Sequence, residues 1–164
     1  MALITIGLAS VQVADILGDG GTGTTFAALG YTYENTCKFT EADPEETSFY
    51  VEEVDDPVET STKAGDIKLN FSIANPDVDT LVSVFGGKKT GGNTWEAPAS
   101  KATIEKSIKI TPKKGLIFTV CRANMVAKLN ADFSRKGLFL IEIACTVLAP
   151  TKTAEPKLTA VPVA

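Results

Sequence analysis

The chain of 164 residues contains no histidine. That removes the commonest general base, the commonest metal ligand and the side chain that titrates near neutrality. Histidine-dependent triads and histidine-ligated zinc sites are therefore excluded. Cysteine is scarce. Cys37, Cys121 and Cys145 are odd in number, widely spaced and without a CxxC pair, which rules out a zinc ribbon or a thioredoxin-type motif. Cys121 and Cys145 lie in apolar runs, where cysteine behaves as a small hydrophobe, and a reducing site of synthesis is the simpler inference. Long hydrophobic runs are missing too. No segment reaches the roughly 18 apolar residues that a membrane helix needs. The first residues lack a basic region and Asp15 soon interrupts them, so they do not read as a signal peptide. A soluble product is expected.

What is present fits one domain. The composition is 44% hydrophobic and 22% charged, ordinary for a globular protein, and the length leaves no room for a second sizeable core. The net charge of -4 argues against duplex binding through phosphates, which needs concentrated Lys and Arg. A weakly acidic wall would still let a polyanion slide past without sticking.

Period-two alternation dominates the pattern. Ala2–Leu17 reads as a first strand segment, Gly18–Gly23 as a flexible turn, and Thr25–Phe39 as strand-like text. From Glu41 to Asp56 the chain turns acidic around a short strand-like island, Ser48–Val51, bracketed by Pro44 and Pro57. Residues 41–64 are thus expected to form a projecting hairpin or long loop. In Asp66–Asn75, Ile67, Leu69, Phe71 and Ile73 alternate with Asp66, Lys68, Asn70 and Ser72, the signature of a strand with one buried and one wet face. A short helix over 75–85 follows. Asn75 is the expected N-cap, Pro76 the first helical residue and Gly86 the stop, with Val78, Leu81, Val82 and Phe85 on one apolar face. Ala102–Ile110 and Leu116–Cys121 read as strands joined by the turn Pro112–Gly115. Ala127, Leu129, Ala131 and Phe133 alternate with Lys128, Asn130, Asp132 and Ser134 as another half-wet strand. Leu138–Leu148 is apolar at nearly every position apart from Glu142, as a strand buried on both faces would be. The prolines of 149–164 predict an extended C-terminal arm that orders only against a partner, leaving 1–148 as the single β-rich domain.

Catalytic and ligand motifs are poorly supported. The glycines of Gly18–Thr25 have no lysine where a phosphate loop needs one, and the earlier glycine that Gly87-Lys88-Lys89-Thr90 would require is Val82. Asp15, Asp19 and Gly20 lack the spaced carboxylates of a calcium loop. The acids of Glu41–Glu59 read as a solvated charge run rather than a glycosidase pair. Trp95, the single tryptophan, sits in a Gly/Pro-rich segment and reads as a packing residue. No nucleophile-and-base pair is available, so the expectation is a protein that is not an enzyme and has no catalytic, metal or cofactor residues.

The order of these elements resembles the tail tube proteins of long-tailed phages, related to the tubes of contractile injection systems: a terminal arm, an acidic loop, an alternating strand running into a short helix at 75–85, an antiparallel strand set and a proline-containing tail. The resemblance covers most of the chain and rests on architecture, above all on Lys63–Gly87. It implies a mainly β protein, an antiparallel β-sandwich or small barrel with one flanking helix. Subunits would form hexameric rings that stack into a hollow conduit for genome delivery. The partners would be further copies of the chain, other tail proteins at the tube ends and DNA passing without specific binding, in a virion tail made in the bacterial cytoplasm. Carried onto this sequence, the loop residues Glu45, Glu46, Phe49, Tyr50, Val51, Glu52 and Glu53 would bridge subunits or rings. Asp66, Lys68, Asn70, Ser72, Lys128, Asn130 and Asp132 would be lumen-facing candidates. Two alternatives stand beside this reading: another ring-forming tail or injection-system component, and a monomeric carbohydrate-binding or adhesin-type β-sandwich using Trp95 and Tyr50.

Overall fold

A computed structural model describes residues 2–164. Half of the chain is strand and 5% is helix, and the strands make a curled antiparallel half-barrel, in line with the mainly β expectation. In chain order the elements are β1 (Ser10–Ala14), β2 (Ala27–Ala28), β3 (Lys38–Glu41), β4 (Glu45–Val51), β5 (Val54–Lys63), β6 (Ile67–Ile73), α1 (Val78–Phe85), β7 (Lys88–Thr90), β8 (Thr94–Glu96), β9 (Ile104–Thr111), β10 (Leu116–Ala131), β11 (Phe139–Val147) and β12 (Leu158–Pro162). The main sheet runs β2-β1-β9-β10-β11-β6-β3, with β12 paired to β10 off that path, while β4–β5 and β7–β8 are separate two-stranded ribbons.

Alternation builds the core. Val11 and Val13, Ile108 and Ile110, Met125 and Ala127, Ile141 and Ile143, and Leu69, Phe71 and Ile73 are buried together. Each sits at every second position of its strand, so each strand sends one row of side chains to the same face. The helix covers part of that face with Val84, Leu81 and Phe85. Burying each large aliphatic or aromatic side chain contributes roughly 1.5–3 kcal/mol.

The helix begins later than the pattern predicts. Asp77, not Asn75, is the N-cap, and its carboxylate accepts from the Thr80 backbone N–H at 2.8 Å. A carboxylate three residues before that amide is a strong cap. Asn75 is used elsewhere, its side-chain oxygen accepting from the Tyr31 N–H. The stop is where it was expected: Gly86 adopts φ 79, and its N–H donates to Val82 O.

Several strands differ from the sequence expectation. Within Ala2–Leu17 the regular strand is only Ser10–Ala14; its partner β9 ends at Thr111, opposite Ser10, so earlier residues have no ladder to join apart from a bridge between Ile6 and Lys114. The two strands expected within 116–134 are one sixteen-residue strand, bulged between Val120 and Ala123. The bulge is held from both sides: Ser107 Oγ donates to Cys121 O at 2.7 Å and accepts from Gly23 N–H at 2.9 Å.

The far end of β10 is not buried either. Leu129 and, just past the strand, Phe133 are exposed, because β9 begins at Ile104, level with Met125, and leaves the rest of β10 without a neighbour on that edge. β11 proves one-sided. Ile141, Ile143 and Cys145 are buried, but Ala144 on the opposite face is exposed. The C-terminal arm does not wait for another molecule. Its last strand, β12, pairs with Leu116–Val120 of β10 in the same chain.

Candidate assembly surfaces

The acidic segment 41–64 forms a hairpin, and its register shows how it is attached. Glu41 faces Ile67 across β3–β6, and Glu45 faces Lys63 across β4–β5. Four residues on along one strand match four residues back along the other, so the ladder continues in one register through the gap. Ala42 N–H donates to Asp66 O at 2.9 Å inside that gap. The hairpin is therefore the outward continuation of the β3–β6 pair, an arm rooted in the sheet. Gly65 makes the root possible, since a Cβ there would collide with Ala42 O.

The arm has no core. Every residue of β5 is exposed, and in β4 only Ser48 is half-buried. Phe49, Tyr50, Val51, Val54 and Val58 nevertheless stand in solvent, at 44–64% exposure. Two-stranded hairpins of this kind are marginal alone in water, and clustered exposed apolar residues mark interaction surfaces. Glu45, Glu46, Phe49, Tyr50 and Val51 all lie on β4, and Glu52 and Glu53 form the turn at the tip. The structure thus brings all seven of these residues together on one arm. Val54 and Val58, also exposed, lie on the second strand of the same arm and were missed. Their alternation is hidden in the sequence by Asp55, Asp56 and Pro57.

The proposed lumen set is divided. Register places Lys68, Asn70 and Ser72 of β6 beside Thr146, Ala144 and Glu142 of β11, and these beside Asn124, Val126 and Lys128 of β10. Lys68, Asn70, Lys128 and Asn130 therefore share the sheet face opposite the core. Ser72 has that parity but is buried, because the chain at 33–36 runs against the β6 edge: Ser72 N–H donates to Thr36 Oγ at 3.2 Å, and Ser72 O accepts from Tyr33 N–H at 2.8 Å. Asp66 and Asp132 lie just outside their strands, so neither belongs to the regular face.

Electrostatics on this face centre on Glu142. Lys128 Nζ lies 2.8 Å from its carboxylate, and Asn130 Nδ2 donates to it at 2.7 Å. These two contacts, Lys128 first, hold the Glu142 carboxyl below the usual carboxylate range, and the same pair pushes the Lys128 ammonium up. The face is thus a mixed polar surface in which Glu142 offsets the charge of Lys128, while Lys68 has no salt-bridge partner among the described residues.

No protein-family model and no curated protein matches the chain.

Other features are accounted for by packing. Trp95 is half-buried on Phe85 with ring centroids 5.7 Å apart, and its indole N–H donates to Gly86 O at 2.9 Å. Tyr50 sits on the arm and Trp95 on the separate β7–β8 ribbon. The seam where the sheet fails to close is a cleft of about 1050 Å³, bordered by Leu8, Leu29, Tyr31, Phe39 and Phe118. The Gly18–Gly23 turn is tied to the tail: Lys152 pairs with Asp19 at 3.0 Å, and Thr22 Oγ donates to Glu155 at 2.7 Å. Among the described residues no helix is long and apolar enough to cross a membrane.

Proposed function

We propose that this chain is the structural subunit of a phage tail tube, assembling into hexameric rings that stack around a conduit for genome delivery and catalysing no reaction. The observation that carries this reading is the arm. A rooted β-ribbon that exposes Phe49, Tyr50, Val51, Val54 and Val58 without a core of its own gains its stability from a surface outside the chain. A second feature supports the reading. The half-barrel leaves β2 and β3 at the ends of its sheet, and unpaired edges become specific contacts when subunits close into rings. On this reading the mixed polar face of Lys68, Asn70, Lys128 and Asn130 lines the conduit, offering a polyanion no concentrated positive charge to bind.

The test is to replace residues 45–63 with a short turn and compare it with the intact chain by sedimentation and negative-stain electron microscopy over a range of concentrations. The intact chain is expected to form rings and tubes. The shortened chain is expected to keep its β circular-dichroism signature and remain small. Tubes formed equally by both would remove the arm from assembly. Uniform small particles of the intact chain at every concentration would overturn the tube reading itself.

A further inference from the structure

The molecule has two projecting hairpins, and the ladder registers show that they leave opposite ends of the sheet. Leu69 is level with Cys145 and, through it, with Met125; Ile73 is level with Ile141 and Leu129. Strand β6 therefore runs in the same direction as β10. The β4–β5 arm joins β6 before Ile67, at one end of that axis. The β10–β11 turn comes after Ala131, at the other end.

Their chemistry is complementary. Residues 45–63 carry seven acids and one lysine, a net charge of −6 against −4 for the whole chain, which leaves the remainder at +2. Among the described residues none of these seven acids has a salt-bridge partner. The opposite hairpin is apolar and basic. Phe133 is 89% exposed, with Leu129 and Leu138 exposed beside it. Phe133 stacks on Phe139 at 6.0 Å, so the apolar surface is pre-arranged. Arg135 and Lys136 form the turn and likewise have no salt-bridge partner among the described residues. The one acid of this turn, Asp132, folds back over Gly137.

We infer that the acidic arm tip of one copy docks on the Phe133–Leu138 hairpin of the next copy along the strand axis, with Glu52 and Glu53 facing Arg135 and Lys136. This rests on the tube reading and supplies its stacking contact. The two surfaces are different patches at opposite poles, so the contact is heterologous and repeats without closing. Apolar side chains supply the buried area and the charges set partner choice and register. The occupant is a second copy of this chain, because the rest of the chain is opposite in sign to the arm, at +2 against −6, and carries the unpaired Arg135 and Lys136 on the facing hairpin.

The experiment compares four forms of the full chain by sedimentation and electron microscopy at low and moderate salt: the unaltered protein, E52K/E53K, R135E/K136E, and the variant carrying all four changes. All four positions are exposed, so circular dichroism should be unchanged. Each double variant is expected to raise the concentration needed for tubes at least about tenfold, equivalent to ~1.4 kcal/mol, and to accumulate unstacked rings. The fourfold variant, which restores opposite signs across the contact, is expected to recover tubes. Tubes unaffected by either double variant, or no recovery in the fourfold variant, would overturn this contact and leave the tube reading standing. An unaltered protein that remains monomeric at every concentration would overturn both.

Discussion

At the scale of single residues, the bulge in β10 is where one side chain joins three parts of the chain. Arg122 donates through Nε and Nη2 to both carboxylate oxygens of Glu105, each at 2.9 Å, and through Nη1 to Ala149 O at 3.1 Å. It thus ties β9 and the start of the C-terminal segment to β10, in the two-pronged geometry that suits guanidinium and carboxylate. The hydrogen bonds from Arg122 hold the Glu105 carboxyl below its ordinary value. A carboxyl whose folded-state pKa is depressed contributes stability that is fully present above its unfolded pKa and is lost as pH falls through the folded value. Glu105→Gln should therefore lower the melting temperature at neutral pH. The difference from the unaltered protein should shrink as pH falls through the carboxylate range and Glu105 is protonated in the folded state as well. Thermal melts at a series of pH values check this, and a difference independent of pH would show that the pair contributes only through shape.

At the scale of elements, the C-terminal strand is more firmly integrated than its prolines advertise. Val147, the last residue of β11, faces Ala123, and Leu158, the first of β12, faces Val120. The two strands share one edge of β10 end to end, on either side of the bulge, whose backbone binds both: Leu148 N–H donates to Arg122 O at 2.9 Å, and Cys121 N–H to Lys157 O at 3.1 Å. Removing residues 157–164 would uncover the Leu116–Val120 edge. Exposed edges are templates for uncontrolled pairing, so the truncated chain should melt earlier and scatter light on warming, measured by differential scanning fluorimetry with a scattering channel.

This element also marks a limit of what the sequence tells. Strict alternation in Ile67–Ile73 and the Pro112–Gly115 turn were legible because backbone geometry alone dictates them. The pairing of Leu158–Pro162 was not, since five residues flanked by prolines carry no period and their stability comes from a partner over 35 residues away. The arm was legible as a projection from its charge, but its continuous register with β3–β6 was not, because only pairing across the strands reveals it. For β11 the apolar run misled. Leu140 and Ala144 are apolar by composition but lie on an uncovered face, and burial is a property of neighbours rather than of the residue.

At the scale of the whole molecule, the sheet is assembled from parts of very different reach. Strands β9, β10 and β11 form a meander joined by short turns, whereas β1 must find β9 roughly 100 residues further along the chain, Ser10 opposite Thr111. That difference separates the pairings in time. Closing a short turn is fast and closing a long loop is slow, so the meander is the natural nucleus and β1 docks onto a sheet already formed. Val11, buried on β1, should then belong to the late class: Val11→Ala, removing roughly 1.5 kcal/mol of burial, is expected to speed unfolding and leave the refolding rate nearly unchanged. Ile108→Val on β9 should instead slow refolding. Stopped-flow chevrons of the two variants make the comparison, and equal effects on both limbs would mean that β1 pairs early. A late first strand has a consequence of its own: until it docks, the exposed edge of β9 sets how long each new chain remains prone to mispairing.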